Sequence, residues 1–230
     1  MGKLIVIEGM DGSGKSTQTK RLTTYFQKNN YRIKSFHFPT TDGFYGRLIS
    51  SFLKGELGSV EEVDPYFISS LYAFDRKEMA DEIRSWIKEY DIVLFDRYAF
   101  SNVAYQCAKV TQEEEKRRLK EWILNFEFEI NSIPVPDINL FLGVPISFVK
   151  QQLGKKRKGQ ERDYLEGKKD IHEKDIGLQQ KVEKEYLALC QEEKVVYVNC
   201  GDGRGNMKNS EDIYGEILQM LAERKILRNG

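Results

Sequence analysis

Cysteine is scarce in this chain, and long apolar runs are absent. The 230 residues include three cysteines, Cys107, Cys190 and Cys200, whose wide spacing fits neither a metal site nor a disulfide framework. The apolar run at residues 4–7 is too short for a signal peptide, and no segment approaches the roughly 20 apolar residues of a membrane-spanning helix. We therefore expect a cytoplasmic protein with reduced cysteines and no membrane partner.

An excess of positive charge is also missing. The chain has 36 Lys and Arg residues against 36 Asp and Glu residues, so its formal net charge is zero. A protein that binds the nucleic-acid backbone usually has a basic excess, because neutralising phosphates drives that binding. We therefore expect no nucleic-acid partner, and any basic patch must be local.

Short apolar runs alternate with helical patterns along the chain. Strands are predicted at residues 4–7, 31–38, 91–96, 136–142 and 195–199, and helices at residues 16–29, 47–53, 65–90, 111–131, 147–153, 173–193 and 210–225. This alternation is typical of an α/β fold with a doubly wound, mostly parallel sheet flanked by helices. No repeat, linker or change in composition divides the sequence, so one domain is predicted over residues 1–230.

A glycine-rich motif follows the first predicted strand and opens the first predicted helix. Residues 9–16 match the P-loop pattern G-x-x-x-x-G-K-[ST] in full. Backbone N–H groups of such a loop surround phosphate oxygens, Lys15 can reach the β- and γ-phosphates, and the Ser16 hydroxyl can bind Mg²⁺. The motif predicts an ATP site formed by Gly9, Met10, Asp11, Gly12, Ser13, Gly14, Lys15, Ser16 and Thr17.

Among P-loop proteins, the rest of the chain favours a small kinase. A GTPase would need a base-reading N-K-x-D segment, which is absent, and a motor ATPase would need a longer chain. A kinase needs a second anion site facing the P-loop. Arg97 directly follows a buried strand, where ligands bind in open α/β sheets, and it can hold a phosphate with two parallel hydrogen bonds. A structural ion pair with Asp96 is the alternative for Arg97.

Residues 154–174 are rich in charge and nearly empty of apolar side chains, which predicts a mobile, solvated segment. Phosphoryl transfer needs charge stabilisation and exclusion of water, and a basic lid would supply both. A charged loop without a role is the alternative, because acidic residues are mixed with the basic ones. The cations of this lid are Lys155, Lys156, Arg157, Lys158, Arg162, Lys168 and Lys169.

Several further segments give the sequence a resemblance to the thymidylate kinase family. DRYAFS at residues 96–101, followed by AYQ at residues 104–106, resembles the D-R-[YH] segment of that family. Asp11 at the third P-loop position, Gln18, the pair Phe38 and Pro39, LYAFDR at residues 71–76 and DIHE at residues 170–173 are also similar to family segments. The resemblance spans most of the chain, and the elements follow in the same order.

The resemblance implies transfer of the γ-phosphoryl group of ATP to dTMP, with Mg²⁺, in a homodimer. Asp11 would orient the acceptor, and Arg97 would bind its phosphate. Tyr72 would stack on the thymine ring, Arg76 would donate to a thymine carbonyl, and Tyr105 would exclude a 2′-hydroxyl. The implied acceptor pocket is completed by Phe38, Pro39, Ser101, Asn102 and Gln106.

The sequence departs from the family pattern at two places. Some members carry an arginine beside the P-loop aspartate, where this chain has Gly12. The resemblance then implies a catalytic arginine from the lid, Arg157 or Arg162, acting with Lys15. Some members also place an arginine shortly after the Phe-Pro pair, and here Arg47 is the nearest basic residue.

Three other interpretations stay open at this point. The acceptor could be another nucleoside monophosphate, or a deoxynucleoside whose 5′-hydroxyl faces the Glu8 carboxylate. The chain could also bind nucleotides without turnover, because lysine is a weaker substitute for a bidentate arginine in the lid. His37 and His172 are interpreted as surface or packing residues rather than ligands.

Overall fold

Five parallel strands form one sheet in the computed structural model, which describes residues 1–154 and 170–227. The strands are β1 (Lys3–Glu8), β2 (Ile33–His37), β3 (Ile92–Asp96), β4 (Ile138–Gly143) and β5 (Val196–Asn199). Their order across the sheet is β2-β3-β1-β4-β5, and every neighbouring pair is parallel. The predicted doubly wound α/β fold is confirmed, with β1 at the centre of the sheet.

Both faces of the sheet are covered, as the apolar strands require. Because side chains alternate along a strand, Leu4 and Val6 of β1 pack into one core cluster, whereas Ile5 and Ile7 pack into another on the opposite face. Burial on both sides explains why these strands read as continuous apolar runs.

Ten α-helices are seen in the described residues. They are α1 (Lys15–Lys28), α2 (Phe44–Leu53), α3 (Pro65–Glu78), α4 (Ala80–Glu89), α5 (Ala99–Cys107), α6 (Glu113–Leu124), α7 (Ile146–Leu153), α8 (Ile171–Lys174), α9 (Ile176–Gln191) and α10 (Ser210–Glu223). A π-helical turn, Asn125–Ile130, continues α6. Within the described part of the chain, no helix is long and apolar enough to cross a membrane.

The prediction of one helix over residues 65–90 was wrong, because the chain breaks at Met79 into α3 and α4. The two helices cover different parts of the core. Ile68 and Leu71 of α3 pack with α2, whereas Ile83 and Trp86 of α4 pack against the sheet. One straight helix could not serve both clusters. The predicted helix at residues 173–193 is likewise divided, between α8 and α9 at Asp175.

Helix α5 was not predicted from the sequence. All nine of its residues are buried, so it has no polar face and shows none of the periodicity that identifies a surface helix. It follows β3 directly and extends from the carboxyl end of the sheet. This placement lets a single helix supply several side chains to the cleft described next.

Candidate active site

A cleft opens at the carboxyl ends of β1 and β3 and encloses about 830 Å³, including the part open to solvent. The carboxyl edge of an open parallel sheet is the place where such folds bind ligands. The predicted acceptor residues all line it together with Lys15 and Ser16: Asp11, Phe38, Pro39, Tyr72, Arg76, Arg97, Ser101, Asn102, Tyr105 and Gln106.

The P-loop lies between β1 and α1, which confirms its predicted context. Gly14 adopts φ 88°, a conformation that favours glycine, and no side chain in the described residues caps the start of α1. The backbone N–H groups there are thus available to an anion. Lys15 is buried, and its Nζ lies 2.9 Å from the carbonyl oxygen of Met10 and 3.2 Å from that of Gly9. Its charge therefore sits within the loop.

Ser16 and Asp96 meet beside the P-loop. The Ser16 hydroxyl donates to Oδ2 of Asp96 at 3.4 Å, and Nδ1 of His37 lies 3.7 Å from the same oxygen. Burial by itself would raise the pKa of Asp96, but the nearby His37 and the charge of Lys15 lower it to about 2. Oδ1 of Asp96 is buried and has no hydrogen-bond partner among residues 1–154 and 170–227.

These two oxygen ligands fit Mg²⁺, which commonly takes one or two protein ligands and completes its shell with phosphates and water. In the described residues, no group of three or more His, Cys, Asp or Glu side chains could hold a metal ion by itself. The Ser16 hydroxyl and the free oxygen of Asp96 are therefore the candidate metal ligands.

Arg97 connects the P-loop with residues that are predicted to bind the acceptor. It adopts φ 68°, rare for a residue with a side chain, and its Nη1 donates to the carbonyl oxygen of Gly9 at 2.9 Å. Nη2 lies 2.5 Å from Oδ1 of Asp11 and 3.3 Å from the hydroxyl of Tyr105. The carboxylate that accepts a hydrogen bond from Arg97 is thus that of Asp11 rather than that of the neighbouring Asp96.

The charge state of Asp11 follows from this arrangement. Burial alone would raise the pKa of Asp11, but the charges of Arg97 and Lys15 outweigh it and hold the pKa well below its usual range. The Tyr105 hydroxyl donates to Oδ2 of Asp11 at 2.8 Å. Asp11 is therefore an ionised acceptor at neutral pH, suited to receive a hydrogen bond from a hydroxyl and unsuited to act as an acid.

Gln179 of α9 contacts the candidate site, and sequence reasoning missed it. Its Oε1 accepts from the backbone N–H of Asp11 at 3.1 Å, and its Nε2 donates to Oδ2 of Asp11 at 3.0 Å and to the carbonyl oxygen of His172 at 3.0 Å. It is fully buried. The sequence did contain one signal for this residue, because Gln179 is polar and lies on the apolar helix face formed by Leu178 and Val182.

The end of the cleft that is predicted to hold the base contains a buried ion pair. Arg76 and Glu127 are both almost fully buried, and the guanidinium forms two hydrogen bonds with the carboxylate, one of them 2.9 Å from Nε to Oε2. Nδ2 of Asn102 donates to Oε1 of Glu127 at 3.0 Å. The π-helical turn therefore supplies the carboxylate that fixes Arg76, an arginine predicted to contact the base.

Both histidines lie in the cleft wall. His172 packs as expected, with its ring centroid 5.1 Å from that of Tyr105. Burial, followed by the charge of Lys109, lowers the pKa of His172 to about 3, so its imidazole is neutral. His172 was expected to be a surface or packing residue. Packing describes it only in part, because its Nε2 is buried and has no hydrogen-bond partner among the described residues.

Glu8 and Arg47 were considered as site residues from the sequence, but neither lines the cleft that the described residues form. Glu8 is fully buried beneath it, where it accepts hydrogen bonds from the backbone N–H of Tyr98, from Tyr186 and from Ser101. Burial raises the pKa of Glu8. Arg47 is exposed and donates to the carbonyl oxygen of Asp42 at 2.6 Å.

The lid predictions fall on residues that the structure does not describe. Arg157 and Arg162 lie outside the described residues, as do Lys155, Lys156, Lys158, Lys168 and Lys169 and the side chain of Glu173. Asp170, at the edge of this stretch, is buried, lines the cleft and caps α8 by accepting from the backbone N–H of His172 at 2.8 Å.

Comparison with known proteins identifies a family to which this chain is similar. A family model described as thymidylate kinase matches residues 7–209. The thymidylate kinase of Plasmodium falciparum (isolate 3D7) is 30% identical over 225 residues, which cover 98% of this chain and 92% of the relative. That of Brachyspira hyodysenteriae is 33% identical over 229 residues, with 98% and 96% covered.

The fold is shared with a solved structure as well. The thymidylate kinase of Candida albicans superimposes with a TM-score of 0.75 at 22% identity, over 98% of this chain and 93% of that one. The family match spans most of the chain, and the relatives match over nearly their full length. The chain therefore belongs to the thymidylate kinase family, whose members are ATP-dependent nucleotide kinases.

Proposed function

We propose that this chain transfers the γ-phosphoryl group of ATP to dTMP, giving ADP and dTDP. One observation carries the proposal: the P-loop Lys15, the ionised Asp11 and the forked cation Arg97 line a single cleft. A donor phosphate held at the P-loop and an acceptor phosphate held at Arg97 would then face each other across Asp11. Membership of the thymidylate kinase family supports dTMP as the acceptor.

The proposed reaction needs little covalent participation by the protein. Phosphoryl transfer depends on alignment and on stabilising the charge of the transferring group. The acceptor phosphate is itself the nucleophile, so no general base is required. Arg97 would hold that phosphate through its guanidinium fork, Lys15 would neutralise charge on the transferring group, and Asp11 would orient the acceptor sugar through its 3′-hydroxyl.

Mg²⁺ belongs to the same proposal. The Ser16 hydroxyl and the unpartnered Oδ1 of Asp96 would bind it. When bound, the ion would supply positive charge to the donor phosphates. His37 favours the ionised form of Asp96, because it is among the nearby groups that lower the pKa of that carboxylate.

The lid and the domain organisation rest on the sequence. We propose that residues 154–174 close over the cleft within one domain of residues 1–230, and that Arg157 or Arg162 supplies the catalytic cation. Lysines in the same segment would add charge without the bidentate geometry of arginine. A cytoplasmic location fits three free cysteines, which are typical of a reducing compartment.

A row of aromatic rings supports the proposal of a homodimer. Ring centroids lie 5.3 Å apart for Phe44 and Tyr45, 5.1 Å for Tyr45 and Phe74, 5.3 Å for Phe74 and Phe126, 4.9 Å for Phe126 and Trp122, and 5.1 Å for Trp122 and Tyr66. All six side chains remain partly or fully exposed. Aromatic residues are enriched at subunit interfaces, and a two-fold axis would bury the same row on both copies.

The exposed end of this row gives a test of the dimer. Phe44 is 59% exposed, so Phe44→Glu should yield a monomer without loss of helix content, because it adds charge to the interface and leaves the core unchanged. Sedimentation velocity measures the mass, and circular dichroism measures the helix content. Val135→Glu, at a 72% exposed position that is not part of the row, is the matched control and should remain dimeric. A monomeric parent protein would overturn the proposal.

The proposed reaction is tested by ADP release with Mg·ATP and a panel of acceptors: dTMP, dUMP, dGMP, dCMP, UMP and thymidine. We expect strong turnover with dTMP, little with UMP because of Tyr105, and little with thymidine because Arg97 would have no phosphate to bind. Chelation of Mg²⁺ by EDTA should stop turnover. Turnover of thymidine in preference to dTMP would identify a nucleoside kinase. Silence across the panel with ATP still bound would identify a nucleotide-binding protein without turnover.

A further inference from the structure

The side-chain amide of Gln106 has an orientation that its surroundings determine. Nζ of Lys109 lies 2.7 Å from Oε1 of Gln106, one helical turn earlier. Amide oxygen and nitrogen have similar shapes, and their assignment normally depends on the hydrogen-bond network. An ammonium group has donors and no acceptor, so the atom that faces it must be the amide oxygen.

This assignment leaves the amide nitrogen of Gln106 as a donor in need of an acceptor. Gln106 is fully buried and lines the cleft. Its Nε2 has no hydrogen-bond partner among the described residues. Buried polar groups in folded proteins are almost always hydrogen-bonded, so a ligand in the cleft is the expected source of the acceptor.

A neighbouring amide has the opposite polarity. Nδ2 of Asn102 donates to the carbonyl oxygen of Ser69 and to Glu127, each at 3.0 Å, and both of these partners are acceptors. Its Oδ1 is therefore the free atom, buried and without a partner in the described part of the chain. Two residues that line the cleft thus have one buried donor atom and one buried acceptor atom without a partner among the described residues. A ring carbonyl beside a ring N–H, as in thymine, matches that pair, whereas cytosine has a lone pair at the ring nitrogen.

We propose that Lys109 is a positioning residue for the acceptor base: by holding Oε1 of Gln106, it directs Nε2 toward a ring carbonyl of a thymine-like base. The inference rests on the proposed function and deepens it by naming a determinant of base selection. Lys109 is itself held in place, since its ammonium lies 4.7 Å above the ring centroid of the buried Phe52. It acts through Gln106 and does not line the cleft that the described residues form.

Removal of the ammonium should affect acceptor binding more than catalysis. In Lys109→Met the amide can turn and present either atom to the base, so we expect KM for dTMP to rise about tenfold, as for one lost hydrogen bond. The turnover number and KM for ATP should change less than about twofold. Preference for dTMP over dCMP should fall about tenfold, because a reversed amide accepts from the cytosine amino group. Lys184→Met, at an exposed position of α9, is the matched control and should behave as the parent protein.

A double-variant cycle separates positioning from a general structural role. Gln106→Leu removes the amide and should itself raise KM for dTMP. If Lys109 acts through that amide, adding Lys109→Met to Gln106→Leu should change KM less than about twofold. A further tenfold increase in the Gln106→Leu background would overturn the proposal. The proposal would also be overturned if Lys109→Met lowered both the turnover number and the thermal midpoint while the preference for dTMP over dCMP stayed unchanged.

A pH profile supplies a second readout. Burial lowers the pKa of Lys109 to about 7, while the charge of Glu61 opposes this shift. The nearby His172 is neutral because its own pKa is about 3. A neutral amine can also accept a hydrogen bond, so KM for dTMP should rise between pH 6 and 8.5 in the parent protein. Lys109→Arg keeps a permanent cation and should lack this increase, whereas identical profiles would contradict the proposal.

Isothermal titration of dTMP allows the same comparisons without turnover. Failure of the parent protein to phosphorylate dTMP would count against the proposed function alone. The dissociation constants of the Lys109 and Gln106 variants would still decide the positioning role. A parent protein that binds dCMP as tightly as dTMP would overturn the inference even if dTMP is phosphorylated.

Discussion

Replacement of Arg97 by methionine should lower kcat/KM for dTMP by about 10³-fold, because two charge-assisted hydrogen bonds to the acceptor phosphate are lost. The change also leaves Asp11 without its 2.5 Å cationic partner, so its negative charge would face the incoming phosphate. The dissociation constant of ATP should change far less, since the P-loop keeps its own lysine and its free N–H groups. Steady-state kinetics and ATP titration measure the two quantities.

Arg97→Lys is the matched control for this experiment. It retains the charge and loses the planar fork, so we expect kcat/KM to fall by an intermediate amount. One contact complicates the site, because Arg97 also donates to the P-loop carbonyl of Gly9 at 2.9 Å. If ATP binding weakened as much as dTMP utilisation, Arg97 would be a support of the P-loop and not the acceptor phosphate site.

Replacement of Lys15 by methionine should lower kcat by about 10³-fold, as expected when one preorganised charge is removed from the transition state. The dTMP dissociation constant should remain close to that of the parent protein, because Lys15 approaches the carbonyls of Gly9 and Met10 and lies on the donor side of the cleft. Single-turnover measurement of dTDP formation checks the first expectation, and calorimetry checks the second.

Lys20→Met provides the control for Lys15. This lysine is exposed on the same helix, α1, and its loss should leave turnover unchanged. If Lys15→Met kept more than about a tenth of the parent kcat, other cations would be the groups that stabilise the negative charge of the transferring phosphoryl group. The lid lysines and arginines would then become the leading candidates.

The sequence was most informative where local rules decide the structure. The P-loop and the strand that ends at Asp96 carry their own glycine and apolar patterns, and both lie as predicted. Helix α5 was missed because complete burial removes the periodicity on which prediction depends. The break at Met79 was missed because it results from two helices packing on separate core clusters, which is a tertiary effect.

The same division applies to the cleft. Ten residues that line the cleft could be named, because the resemblance to a known family places them in motifs with fixed spacing. Gln179 and Lys109 belong to no such motif. Gln179 reaches Asp11 across 168 positions of the chain, and Lys109 acts through a neighbouring amide. Contacts of this kind depend on how elements meet in space, and only the folded structure reveals them.

The buried pair of Arg76 and Glu127 limits how base preference can be redesigned. Arg76 is an obvious position at which to alter the bases accepted, yet its removal would leave the Glu127 carboxylate buried and unbalanced, at a cost of about 3–5 kcal/mol. That is a large share of the roughly 5–15 kcal/mol that keeps a protein folded. Variants at position 76 would thus tend to be lost through unfolding before any new preference could be selected. Tyr72 lines the cleft on the same helix, α3, and takes part in no ion pair with the described residues, so it is the more accessible starting point for new acceptor specificity.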